Sequence, residues 1–157
     1  MKKLMMVGLA AAAFASASPA IAKDKEVVAI PEPQEGMGQV VFYRPGSLMG
    51  MALGCNVREN GIMVGPLANG KYFVTNFTPG KHTFTTKLEA TDTLNLEIEE
   101  GETQFVKCKI GAGVVAGRPN LSPSDKADFD KRHKKLKLKT EEERLKDVAE
   151  DTEEKAK

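Results

Sequence analysis

From Gln39 to about Leu121 apolar and polar residues alternate with a period of two, the spacing of strands with one buried face. Gln39–Arg44 predicts a first strand, broken by Arg44-Pro45-Gly46, and Ala52–Glu59 predicts a second. Asn60-Gly61 suits a two-residue hairpin, in which both central residues take positive φ. Ile62–Val64 begins the return strand and Gly65-Pro66 ends it. After a turn at Asn69-Gly70, Lys71–Phe77 places Phe73, Thr75 and Phe77 on one face and Tyr72 and Val74 on the other. Pro79-Gly80 fits the centre of a type II turn ahead of His82–Leu88. Leu94, Leu96 and Ile98 then alternate with Asn95, Glu97 and Glu99. Gly101-Glu102 turns the chain into Thr103–Ile110, and a Gly-rich link, Gly111–Gly117, leads to a last segment near Asn120-Leu121. About seven short strands at this spacing predict a mainly β fold, a single antiparallel β-sandwich of immunoglobulin or transthyretin type over residues 39–121.

The pattern is different at both ends. Lys2 and Lys3 precede an almost unbroken apolar run, Leu4–Ala15, and a small-residue stretch ending in Ala20-Ile21-Ala22. Residues 1–22 therefore read as a secretory signal peptide, cut between Ala22 and Lys23. The run falls well short of the ~20 residues that span a bilayer, and no later run is long enough. No Cys follows the cut, so lipid attachment there is not indicated, and the short basic start points to the bacterial periplasm. Residues 23–38, with Pro31, Pro33, Gly36 and Gly38, read as an extended lead-in.

At Ser122 the composition shifts, and 22 of the last 36 residues are charged. Residues 122–157 predict a helical tail: a helix near 123–138, a weaker one near 141–150, and a frayed end. Phe129, His133 and Leu136 form a thin stripe able to dock on the sandwich. Thr140-Glu141-Glu142-Glu143 is a capping box. Lys131–Lys139 is basic and Glu141–Glu154 mostly acidic.

Removing the leader takes Lys2 and Lys3 with it and leaves 135 residues, with 21 basic against 22 acidic side chains and a net charge of −1. A near-neutral chain has no global field to gather nucleic acid. With no Trp and two Tyr, stacking on bases or sugars is poorly supplied. Two cysteines remain. Cys55 shares a strand face with Leu53 and Val57, and Cys108 with Val106 and Ile110, so both thiols point to the apolar side. In an oxidising compartment the pair reads as a disulfide, and two buried free thiols are the alternative.

The stretches Val41-Phe42-Tyr43-Arg44-Pro45, Val57-Arg58-Glu59-Asn60-Gly61, Val64-Gly65-Pro66-Leu67, Asn69-Gly70-Lys71-Tyr72-Phe73, Thr78-Pro79-Gly80-Lys81-His82 and Gly101-Glu102-Thr103 follow one another along the core. In them the core resembles the bacterial domain-of-unknown-function family 2846. Their order is also similar to PEGA-type repeats. The resemblance covers about residues 38–121 and implies a small exported β-sandwich with no assigned activity.

Two polar side chains are candidate anchors. Arg44, at a strand end, would serve as an anchor for an anion or carboxylate, or else pair a nearby carboxylate or loop carbonyls of its own chain. His82, after the Pro-Gly turn, would work with Asp92 or Glu102, or else bond to backbone; no nucleophile motif accompanies it. Met49, Met51, Cys55, Met63 and His82 are donors of the type that suits Cu(I), although Met is more often a gap-filler, and no metal site or cofactor is expected. Glu97, Glu99, Glu100 and Glu102 supply carboxylates, in the ordinary pattern of a wet face. Lys131, Arg132, Lys134 and Lys135 offer weak contact with an anionic surface, unless they are simply a solvated helix face. Asn76-Phe77-Thr78 and Asn120-Leu121-Ser122 are chance matches to a glycosylation pattern. The function expected is a non-enzymatic binding or assembly module in the periplasm, its partner an envelope protein or polymer met through a strand edge or the tail. The competing class is a small-ligand or metal carrier, or a hydrolytic enzyme, with a pocket joining Arg44 and His82.

Overall fold

The computed structural model describes residues 30–157; the leader and its cleavage point at Ala22 and Lys23 lie outside the described residues, as does most of the lead-in. Among the described residues, nine strands form two sheets: β1 (Gly38–Tyr43), β2 (Cys55–Glu59), β3 (Ile62–Leu67), β4 (Lys71–Phe77), β5 (Gly80–Lys87), β6 (Thr91–Ile98), β7 (Thr103–Ala112), β8 (Gly117–Ser124) and the two-residue β9 (Lys137–Leu138). The strand orders are β8-β7-β1-β4-β9 and β3-β2-β5-β6. Two helices, α1 (Lys126–Arg132) and α2 (Glu141–Lys155), complete the chain.

The mainly β, two-layer expectation is met, but the count of about seven and the purely antiparallel pairing are not. β1 runs parallel to β7, and β4 parallel to β9. Turn signals such as Asn60-Gly61 fix only the pairing of sequence neighbours, and there they hold: Asn60 (φ 51°) and Gly61 (φ 81°) both take the left-handed region between β2 and β3. β1 pairs with strands distant in sequence. Each of its six residues, Gly-Gln-Val-Val-Phe-Tyr, is buried, which suits a central strand covered on both faces. Val40 and Phe42 enter the core between the sheets with Val57, Leu67, Phe73, Phe84 and Val106. Val41 and Tyr43 point the other way, into a second cluster with Phe105, Phe129 and Leu136. The faces expected for β4 hold in the same way, with Phe73 and Phe77 inward and Tyr72 and Val74 outward.

Several boundaries move for physical reasons. β3 continues through Gly65-Pro66 to Leu67, because an edge strand tolerates the missing N–H of proline. The Gly111–Gly117 link is instead the end of β7, a short hairpin and the start of β8. β8 runs on to Ser124, so α1 is capped by Asp125, whose side chain accepts from the Asp128 N–H, rather than started at Ser122-Pro123. The helix expected near 123–138 stops at Arg132, followed by a 3-10 turn over His133–Lys135. Extending Leu136–Leu138 instead buries Leu136 and lets the Lys137 and Lys139 N–H groups donate to Gly70 O, just before β4, and Tyr72 O within it.

The tail is part of the fold. Phe129 plugs the outer face of the five-stranded sheet, its ring 5.3 Å from Tyr43, 5.2 Å from Tyr72 and 5.5 Å from Phe105. The capping box at Thr140 and Glu143 forms, and α2 continues past 150 to Lys155. α2 lies along β3 through polar contacts: Arg58 grips Asp151 with both terminal nitrogens (2.8 and 2.5 Å), and Arg144 Nη1 donates to Val64 O (2.7 Å). That Arg58 guanidinium holds the Asp151 carboxyl below its ordinary range. No helix of the described residues is long and apolar enough to cross a membrane.

Candidate functional site

Cys55 at the start of β2 and Cys108 in β7 form a disulfide that joins the two sheets, with a Cα–Cα distance of 6.6 Å. The Thr86 hydroxyl, buried in β5, lies 3.5 Å from Cys55 Sγ. This bond sits beneath one end of the sandwich, called here the loop end. Because β1 and β7 are parallel, the loop after β1 and the hairpin after β7 emerge together there.

Arg44 organises the first of these loops, residues 45–54. Its guanidinium is buried and donates to the carbonyl oxygens of Leu53 and Gly50 (2.6 Å for the latter). Burial lowers its pKa, and its partners are carbonyls rather than a carboxylate. Gly50 is required twice over: φ is +67°, and a Cβ would stand 2.8 Å from Ile110 Cγ2. Asn69, in the turn before β4, braces the loop by accepting from the Ser47 N–H (3.0 Å) and donating to Ser47 O (3.1 Å).

Glu89 organises the hairpin over residues 113–116. Its carboxylate accepts from the N–H groups of Val114, Val115 and Ala116 at 2.8–3.1 Å. Those three backbone donors hold its carboxyl below the ordinary carboxylate range. Ile110 and Leu53 pack beside Gly117 at the base of the hairpin, so the two loops are neighbours.

The side chains these loops present are apolar. Leu48 is 91% exposed, Met49 55% and Met51 61% on the first loop, and Val114 86% and Val115 92% on the second. Covering a large apolar side chain is worth about 1.5–3 kcal/mol, so a braced cluster left in water marks a contact surface. Beside Met49 opens a cleft of about 220 Å³ lined by Arg44, Lys109, Ile110 and Arg132. Sequence reasoning missed Leu48, Val114, Val115 and Glu89. The signal was there in Val114-Val115: an apolar pair within the Gly-rich link, in turn composition, has no core strand to belong to.

The structure does not gather the other candidates. His82 lies in β5 at the far end: Nδ1 meets Glu59 Oε1 at 2.7 Å and Nε2 meets Thr78 O at 2.8 Å. His82 lines an open groove of about 420 Å³ with Lys81, Asn95, Leu96 and Glu97, whereas Arg44 lines the cleft at the loop end, so the two line different pockets. Met63 begins β3, also away from the loop end, and Cys55 is in the disulfide, so the soft-donor set is dispersed. Among the described residues no three His, Cys, Asp or Glu side chains gather as a metal site. Glu102 accepts from the Glu99 N–H and Gln104 Nε2, and Asp92 from the Leu121 N–H. Lys131, Arg132, Lys134 and Lys135 are all exposed, and Arg132 also pairs with Asp128.

No curated protein and no solved structure matches the chain. Residues 34–119, more than half of the chain and the span from just before β1 into β8, match DUF2846, a protein family of unknown function, and the chain belongs to that family.

Proposed function

We propose that this chain is an exported, non-enzymatic binding module of the bacterial cell envelope that works from its loop end. The observation that carries the reading is the braced cluster of Leu48, Met49, Met51, Val114 and Val115, held out in solvent by Arg44 and Glu89. Two further features support it. A disulfide suits an oxidising compartment, as does the leader-like pattern of residues 1–22. Arg44 and His82 are each engaged by their own chain at different ends, which leaves neither facing a shared substrate pocket.

A strand edge is a poorer contact surface than it is in most sandwiches. α2 covers β3, and β8 packs along β6, with the Leu121 N–H donating to Asp92 Oδ2 at 2.7 Å. The test is fractionation combined with photo-crosslinking in cells, with a photoreactive side chain at position 48, 115 or 62. Position 62 is also exposed, at the start of β3. The chain is expected in the periplasmic fraction, with its thiols oxidised, and with discrete adducts, to protein or to lipid, from 48 and 115 but not 62. A reduced chain retained in the cytoplasm, or adducts from none of the three positions, would refute the reading.

A further inference from the structure

We infer that the loop end docks onto an anionic lipid bilayer, with Leu48, Met49, Met51, Val114 and Val115 entering the interface between headgroups and acyl chains. The inference rests on the loop end being the contact surface and adds what it contacts.

Shape comes first. The five side chains sit on two separate turns, not on a flat sheet face or along a groove. A folded partner would need a matching hollow for each turn, whereas a fluid interface admits each independently. The turns are also preorganised. Three N–H groups on Glu89 and the Arg44 bonds to Gly50 O and Leu53 O keep the tips from folding back onto the sandwich.

Charge then selects an anionic surface. The cleft beside Met49 is lined by Lys109 and Arg132, and Arg118 is exposed next to the hairpin, paired across the ladder with Gly111, while the buried Arg44 is spent on its own loop. The basic segment closes on the same end. Lys135 O lies 3.7 Å from where a Gly70 Cβ would be, and Gly70 adjoins the Asn69 that braces Ser47. Two acidic groups beside these basic ones are already engaged. Glu89 is engaged by the hairpin N–H groups, and Asp128 by Tyr43, Lys107 and Arg132. Glu141, Glu142 and Glu143 start α2 beyond β9, across β1 and β4 from β7. β9 stands two strand places from β1 and three from β7, roughly 9 and 14 Å, both longer than the ~8 Å over which exposed charges act at physiological salt.

The chain contains no Trp, so a single indole reports its own depth. Three full-length variants, Leu48→Trp, Val115→Trp and Ile62→Trp, are mixed with phosphatidylcholine–phosphatidylglycerol vesicles carrying bromine on the acyl chains. Residues 4–15 are common to all three, so any association through that apolar segment affects each alike. Bromine should quench the indoles at 48 and 115 by about half or more with a blue shift, leave the one at 62 nearly unquenched, and lose most of its effect without the anionic lipid. Absence of quenching at 48 and 115, or equal quenching at 62, would overturn the inference. If positions 48 and 115 remain unquenched but crosslink a protein in cells, the binding reading stands and the lipid is wrong.

Discussion

Asp128 sits where α1 meets the outer face of the five-stranded sheet. Tyr43 donates to its Oδ2 at 2.5 Å, Lys107 Nζ approaches it at 2.9 Å, and Arg132 Nε reaches Oδ1 at 3.1 Å. The Tyr43 hydrogen bond, followed by those from Lys107 and Arg132, holds the carboxyl far below its ordinary range. In the unfolded chain an aspartate titrates near 3.9. The native state therefore binds fewer protons in acid. Its stabilisation is complete above about pH 5 and is lost as pH falls through 4 and below. Burial, and then the bond to Asp128, raise the Tyr43 pKa, so stability also falls once pH climbs past about 10, where an unfolded tyrosine ionises. Asp128→Asn should cost about 1–3 kcal/mol at pH 7 and lose less than the parent chain between pH 5 and 3. Thermal melts across that range check it, and parallel acid limbs for the two proteins would contradict it. Acid sensitivity should not vanish, because Asp151 and Glu89 are depressed in the same direction.

The way α2 docks turns on a single missing methyl. Gly65 lies in β3 under the helix, and a Cβ there would stand 2.9 Å from Phe73 Cζ and 3.1 Å from Arg144 Cδ. Phe73 is wholly buried and packed against Phe42, ring centroids 5.2 Å apart, so its ring has little room to yield. Gly65→Ala should cost about 1–3 kcal/mol by overpacking and speed hydrogen exchange over residues 141–155. An unchanged melting temperature with α2 still protected would mean that the helix does not approach β3 this closely. The sequence announces such elements only where the cause is local. Asn60-Gly61, the Thr140 capping box and the alternation through Tyr72, Phe73 and Val74 act within a few residues and were legible. β9 was not, because Leu136–Leu138 has helical spacing with Phe129, and only the open edge of β4, far back in the chain, draws it out straight. The loop end escaped for the same reason. Nothing near Leu48 or Val115 says that a parallel β1–β7 pair will bring the two turns together.

At the scale of the whole molecule, the question is what keeps two sheets together when the chain alternates between them. β1, β4 and β7 belong to one layer and β2, β3, β5 and β6 to the other, so core contacts such as those of Phe42 with Phe73 and Phe84 are long in sequence. The apolar core supplies the attraction, and its rings, Phe42 with Phe73 and Phe84 at 5.2 and 5.1 Å, span both layers. The disulfide acts on the other side of the equilibrium. Tying Cys55 to Cys108, 53 residues apart, removes denatured conformations rather than adding native contacts. For a loop of this length the chain-entropy estimate is about 4 kcal/mol, a large share of the ~5–15 kcal/mol by which domains are stable. Urea unfolding with and without reductant should show the midpoint falling on reduction. The slope should rise too, because the uncrosslinked denatured chain exposes more surface. A Cys55→Ala/Cys108→Ala variant should match the reduced protein, apart from the small cavities left in the core. If reductant moves neither midpoint nor slope, the bond is not what joins the layers, and the loop end would rest on core packing alone.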